Sequence, residues 1–165
     1  MLRFDQESQT QDFARRLAQC CLSLSSAVVI YLEGDLGAGK TTLARGFIQS
    51  LGFDRVKSPT YSIVESYQNA QVQIHHFDCY RLCDPEELEY IGIREYLQPG
   101  NIQLIEWPQM GQGMLAPADL LIKIDIEQQD RILQPIANST IGEQLLKCLD
   151  YEADLSGEST SAGGS

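Results

Sequence analysis

The chain has 165 residues, 43% of them apolar and 21% charged. Those are the proportions of one globular domain, and they exclude collagen, fibre and wholesale disorder. Its net charge of −11, from 23 acids against 12 bases, argues against direct binding of nucleic acid, which needs clustered Lys and Arg. Four of the acids, Asp150, Glu152, Asp154 and Glu158, lie in the last stretch without a basic neighbour, which leaves −7 for residues 1–149. No apolar run is long enough to span a membrane. The opening Met1-Leu2-Arg3-Phe4-Asp5-Gln6-Glu7 lacks the basic flank and apolar stretch of a secretory signal, so a cytoplasmic location is expected.

In chain order, Phe13, Leu17, Cys20, Cys21 and Leu24 recur at steps of three and four, one face of a helix over 9–24, with Ser8 or Thr10 as its cap. Ala27-Val28-Val29-Ile30-Tyr31-Leu32 reads as a strand buried on both faces, as in a parallel sheet. A glycine loop follows, then a helix from Thr41 to Leu51 stopped by Gly52. Tyr61 to Tyr67 and Val72 to Asp78 read as two strands of an antiparallel hairpin, turned by Gln68-Asn69-Ala70-Gln71. Asp84-Pro85-Glu86-Glu87 joins a capping acid, a first-turn proline and two acids at the positive end of the dipole, which predicts a helix to Leu97. Strands are expected at Ile102–Glu106, Asp119–Ile126 and Arg131–Ala137. Thr140-Ile141-Gly142-Glu143 has the capping-box pattern of a last helix ending near Leu149. Residues 1–149 form the expected domain, and 150–165 read as a disordered acidic Ser/Gly-rich tail. The five cysteines, Cys20, Cys21, Cys79, Cys83 and Cys148, are odd in number and two are adjacent, which does not suit a disulfide framework. Buried or free thiols in a reducing compartment are expected instead. No Cys-x-x-Cys pair completes a zinc set around His76, Cys79 and Cys83.

The segment Gly34-Asp35-Leu36-Gly37-Ala38-Gly39-Lys40-Thr41 satisfies the pattern G-x-x-x-x-G-K-[ST], and it stands between a buried strand and a helix. Phosphate carries dense negative charge, and the N–H groups at a helix start point toward such a group. Glycines let the backbone approach closely. Lys40 is the candidate for the β- and γ-phosphates and the Thr41 hydroxyl for Mg²⁺. A hydrolase also needs a carboxylate for the metal and a group that orients water. Asp78 and Glu106 both close apolar strands, where catalytic groups of open α/β sheets gather, and the sequence does not divide the two jobs between them. Ser58-Pro59-Thr60 stands where such proteins place a loop that senses the γ-phosphate. Arg81 reads either as an intramolecular arginine finger or as a surface partner of Glu86 or Glu87. His76 reads as a packed or hydrogen-bonded strand residue, and Trp107 as core or as a neighbour of the nucleotide.

The motifs Gly34 to Thr42, Lys57-Ser58-Pro59-Thr60-Tyr61, His76-Phe77-Asp78-x-Tyr80-Arg81-Leu82, Asp84 to Glu89 and Glu106-Trp107-Pro108, in this order, resemble the TsaE family, small bacterial P-loop ATPases needed for the threonylcarbamoyladenosine modification of tRNA. The resemblance spans roughly residues 1 to 149, and the motifs beyond the glycine loop make it specific. It implies a three-layer P-loop sandwich, α/β in class, with a mainly parallel sheet and some antiparallel strands. It implies ATP and Mg²⁺ as ligands and the TsaB–TsaD heterodimer as partner, reset by an ATP cycle, with tRNA reached only through that complex. Nucleotide contacts are implied for Gly34, Asp35, Leu36, Gly37, Ala38, Gly39, Lys40, Thr41 and Thr42, with Thr10 and, more weakly, Arg131 on the base side. Thr41 and Glu106 are implied as metal ligands, Asp78 as needed for hydrolysis, and Ser58, Pro59 and Thr60 as a switch-like loop. Two alternatives stand beside this: a small-metabolite kinase, which would carry an arginine-bearing lid that the stretch between Arg94 and Arg131 lacks, and a nucleotide-dependent binding module without hydrolysis.

Overall fold

The computed structural model describes residues 1–59 and 62–149. Thr60, Tyr61 and the tail expected at 150–165 lie outside the described residues. One seven-stranded sheet organises the chain. In sequence the elements are β1 (Leu2–Phe4), α1 (Glu7–Leu22), β2 (Val28–Glu33), α2 (Lys40–Ser50), β3 (Val64–Gln68), β4 (Gln73–Asp78), α3 (Glu87–Tyr90), β5 (Asn101–Glu106), β6 (Leu120–Glu127), β7 (Asp130–Ala137) and α4 (Thr140–Cys148), with short 3-10 turns at Ile93–Tyr96 and Pro108–Gly111. The strands lie in the order β1-β7-β6-β2-β5-β4-β3.

Strands β6, β2, β5 and β4 run parallel to one another, while β7 on β6, β1 on β7 and β3 on β4 are antiparallel. The sheet is therefore mixed: the antiparallel strands expected are present at both edges, and the parallel part is confined to the run β6-β2-β5-β4. The apolar run of β2 explains its central place: Val28, Val29, Ile30 and Leu32 are all buried. A side chain of that size contributes roughly 1.5–3 kcal/mol when it is fully removed from water.

Helices α1, α2 and α4 cover one face. Their Phe13, Leu17, Leu43, Phe47, Ile48 and Leu145 pack on Ile30, Leu32, Ile74, Leu104, Ile122 and Leu133. A Cβ on Gly46 of α2 would lie only 3.4 Å from Ala14 Cβ of α1, so small side chains let these two helices lie close. The other face is covered more thinly, by α3, the 3-10 turns and loops, whose Leu82, Leu88 and Ile93 join Phe77 and Ile105 of the sheet in one cluster. The ring of Tyr96 stands edge-on to His75 and Phe77.

Local chemistry accounts for the departures from the sequence reading. The helix expected over 84–97 stops after one turn because Gly92 sits at φ 75°, a left-handed conformation that no helix continues through. The cap of α1 is formed at Gln6, whose N–H donates to Gln9 Oε1 at 3.0 Å, rather than by Ser8 or Thr10. Ser139, not Thr140, caps α4, its hydroxyl accepting from Gly142 N at 3.1 Å and donating to Asp119 at 2.7 Å. Asn69 makes the β3–β4 turn as expected, its Oδ1 accepting from the N–H groups of Gln71 and Val72. The cysteine reading is corrected: Cys20 of α1 and Cys148 of α4 form a disulfide, while Cys21, Cys79 and Cys83 are free thiols. The odd count misled because the bond is made across 128 residues, by two helices that share one face of the sheet. Among the described residues no helix is long and apolar enough to cross a membrane, and no cluster of three or more His, Cys, Asp or Glu side chains has a metal-holding arrangement.

Candidate functional site

The parallel centre sends the carboxyl ends of β2, β4 and β5 to one edge of the sheet, where open α/β sheets carry their ligands. From the end of β2 the chain enters the glycine loop and turns into α2, whose first residue is Lys40. Gly34 is required there by contact: a Cβ would stand 2.5 Å from the carbonyl oxygen of Ile124 on β6. Gly37 and Gly39 both have positive φ, 80° and 114°. The loop is closed by Ala38 N donating to Asp35 O at 3.0 Å. It wraps Lys40, whose Nζ donates to the carbonyls of Gly34 at 2.5 Å and Asp35 at 2.8 Å. The same ammonium lies 4.5 Å from the centre of the Trp107 ring.

Register supplies the carboxylates. Asp78 and Glu106 are paired residues at the ends of β4 and β5, so their side chains emerge side by side on the face toward α2. Thr41 Oγ1 donates to Glu106 Oε1 at 3.2 Å. On the other side His76 Nε2 lies 2.6 Å from Glu106 Oε2, in a pair that is 1% and 3% exposed. Burial pushes the Asp78 carboxyl above its ordinary range, opposed by the N–H of Tyr80, which donates to it at 3.0 Å. Burial pulls the Lys40 ammonium below its ordinary value, opposed by the charges of Glu106, Asp78 and Asp35. A cation and an anion that are each made less comfortable by burial are what functional clefts tend to contain.

Three hollows run along the loop as one trough. The middle one, about 230 Å³, is lined by Lys40, Thr41, Asp78, Tyr80, Glu106 and Trp107. Toward the N-terminal edge a hollow of about 180 Å³ lies among Phe4, Gln6, Thr10, Gly39, Thr42 and Arg131, and there Arg131 Nη2 donates to Gly37 O at 3.5 Å. Beyond Asp78 a hollow of about 450 Å³ is bounded by Leu36, Pro59, Ser62, Tyr80 and Arg81. Leu36 is exposed and Ala38 is buried. Pro59 is buried and Ser58 partly so, and Thr60 lies outside the described residues. Of the candidates read from the sequence, Thr10, Leu36 to Thr42, Asp78, Glu106 and Arg131 line one trough with Pro59 at its far end, whereas Gly34 and Asp35 meet it only through their carbonyls on Lys40 and Ser58 lines none of it. Missed were the N-terminal wall of Phe4 to Glu7 and the bond between His76 and Glu106. The second had a signal, since residues two apart on a strand share a face and His76 precedes Asp78 by two.

The chemistry on offer is specific. An ammonium and the N–H groups at the start of α2 favour anionic oxygens. A hydroxyl and carboxylates form a hard oxygen set of the kind Mg²⁺ takes, and Thr41 Oγ1 and Glu106 Oε1 are already within hydrogen-bond distance. A carboxylate with a raised pKa beside them can accept a proton.

The molecule is thus an α/β protein in which a glycine loop joins a central strand to a helix beneath two paired strand-end carboxylates. The profile of the family described as "Threonylcarbamoyl adenosine biosynthesis protein TsaE" matches residues 4–133, and the chain belongs to that family. It is similar to the tRNA threonylcarbamoyladenosine biosynthesis protein TsaE of Haemophilus influenzae, at 48% identity over 137 residues, 81% of this chain and 87% of that protein. The protein of the same name in Bacillus subtilis is 41% identical over 97 residues, 58% of this chain and 60% of its own. The crystal structure of Bacillus subtilis YdiB superposes with a TM-score of 0.75 at 27% identity, covering 92% of this chain and 94% of that one.

Proposed function

We propose that this chain is a Mg²⁺-dependent ATPase, slow by itself, that serves threonylcarbamoyladenosine formation in tRNA by acting on a TsaB–TsaD heterodimer. In this reading residues 1–149 are a P-loop ATPase domain, the cytoplasm is the setting, and tRNA is met only through the partners. Family membership supports the pathway. The observation that carries the chemistry is the juxtaposition of Lys40 and Thr41, at the head of α2, with the register-paired Asp78 and Glu106.

ATP enters along the trough with its base side toward Thr10 and Arg131 and its phosphates against Gly34 to Thr42. Lys40 exchanges the carbonyls of Gly34 and Asp35 for phosphate oxygens, a stronger charge-assisted pairing. Thr41 and Glu106 would hold Mg²⁺, which would supply neutralisation of phosphate charge. Asp78 orients a water and accepts its proton as the water oxygen bonds to the γ-phosphorus. The bond to the β-phosphate oxygen breaks, and ADP leaves with that electron pair. In this reading Pro59, which bounds the hollow beyond Asp78, is the residue that senses the γ-phosphate. The negative net charge of the body is consistent with a protein that reaches tRNA through others.

Calorimetry with ATP and Mg²⁺ tests binding, and phosphate release with and without TsaB–TsaD tests the cycle. Binding lost in Lys40→Ala, together with turnover that rises when the partners are added, is expected. No heat of association from folded protein would overturn the proposal, and a phosphorylated small product stoichiometric with ADP would redirect it to a kinase.

A further inference from the structure

Glu106 is held at both of its oxygens. Oε1 accepts from Thr41 Oγ1, and Oε2 lies 2.6 Å from His76 Nε2 inside the protein. A carboxylate only accepts, so the imidazole carries its proton on Nε2. The other ring nitrogen, Nδ1, is buried and has no hydrogen-bond partner among the described residues. A polar ring placed on β4 with one nitrogen unsatisfied costs stability that an apolar side chain would not. The polar contact His76 makes in return is the one to Glu106.

We propose that His76 is a positioning residue that occupies one oxygen of Glu106, leaves a single oxygen for a cation, and so makes the site select Mg²⁺ over Ca²⁺. The inference rests on the Mg²⁺-nucleotide reading above. Mg²⁺ demands near-octahedral geometry and keeps much of its water, whereas Ca²⁺ accepts more ligands and readily takes both oxygens of one carboxylate. The bond from His76 takes one lone pair of Oε2 and fixes the plane of the carboxylate, which disfavours the two-oxygen mode. With the tie cut, Glu106 turns freely, the single-oxygen mode loses its fixed geometry, and the two-oxygen mode opens. Neighbours that orient a metal ligand commonly matter nearly as much as the ligand itself.

The test is calorimetric titration of the full chain with ATP in EDTA, in Mg²⁺ and in Ca²⁺, for the wild type, His76→Leu and His76→Gln. Leucine fills the space without a donor, and the glutamine amide can donate from about the place of Nε2. In His76→Leu the gain in ATP affinity due to Mg²⁺ should fall about 10–100-fold, and the gain due to Ca²⁺ should fall much less. Affinity in EDTA should stay within about twofold of wild type, and His76→Gln should recover most of the Mg²⁺ preference. A folded His76→Leu with unchanged Mg²⁺ preference would overturn the inference, and so would an equal loss in EDTA, which marks plain packing damage. Should both variants fail to fold, nitrogen-15 NMR of the wild-type histidine decides: a protonated Nε2 retained on adding Mg²⁺ and ATP supports the proposal, and a proton on Nδ1 overturns it. Wild-type protein that binds no ATP would bring down the nucleotide reading and this inference with it. Normal ATP binding with no effect of the variants would bring down this inference alone.

Discussion

Lys40 and Asp78 each carry a charge that the folded chain holds at a cost, and Asp78→Asn makes the second measurable. The Asp78 carboxyl is raised above its ordinary value of 3.8 by burial, so the folded state holds its proton to higher pH than the unfolded chain does. Stability from this group is therefore fullest at acid pH and is lost as pH rises through the folded pKa. Asp78→Asn should melt higher than the wild type at neutral pH, with the gap closing as the pH approaches 3.8, and its phosphate release should drop about 10²–10⁴-fold. Melting curves across pH and a phosphate assay check both halves, and a variant that melts lower at neutral pH would contradict the burial argument. Gly34→Ala drives a methyl group against the Ile124 carbonyl. It should cost about 1–3 kcal/mol and weaken nucleotide binding together with stability, readable in one thermal-shift series with and without ATP. The glycine loop, Asp78 and Glu106 were legible in the sequence because their spacing relative to apolar strands places them at strand ends. The carbonyl facing Gly34 was not, since Ile124 is 90 residues away and reaches the loop only through sheet pairing.

Helices and strands show where such reading stops. α1 was legible from its period, β2 from its unbroken apolar run and the β3–β4 hairpin from its turn residues between strand-forming stretches. α3 was over-read: its capping signals are genuine, with Asp84 Oδ1 accepting from Glu86 N, but Gly92 outweighs them. β1 was missed because three residues carry too little pattern, and it exists through pairing with Leu133, Ile132 and Arg131 of β7. The clasp between α1 and α4 was missed for the same non-local reason. In the chain-entropy account a bond closing a loop of 128 residues stabilises by up to about 5 kcal/mol. Reducing agent, or Cys148→Ser, should thus lower the melting temperature, while nucleotide affinity holds because neither sulfur lines the trough. Indistinguishable melts of oxidised and reduced protein would remove the clasp from the stability account.

Taken whole, the molecule divides its work between a parallel centre, which supplies loop and carboxylates, and flanks that close the trough at its ends. The flank of β7 and β1, paired onto β6, brings residues 4–7 and Thr10 beside Gln129 and Arg131, sequence neighbours of neither the glycine loop nor each other. Grip on a triphosphate and discrimination of the nucleoside hanging from it should therefore be separable by trimming. A chain lacking residues 1–6 should still take up inorganic triphosphate, yet treat ATP, GTP and CTP as near equals in competition binding. Choice among bases would then belong to the sheet's edge, and the hold on the phosphates to its centre.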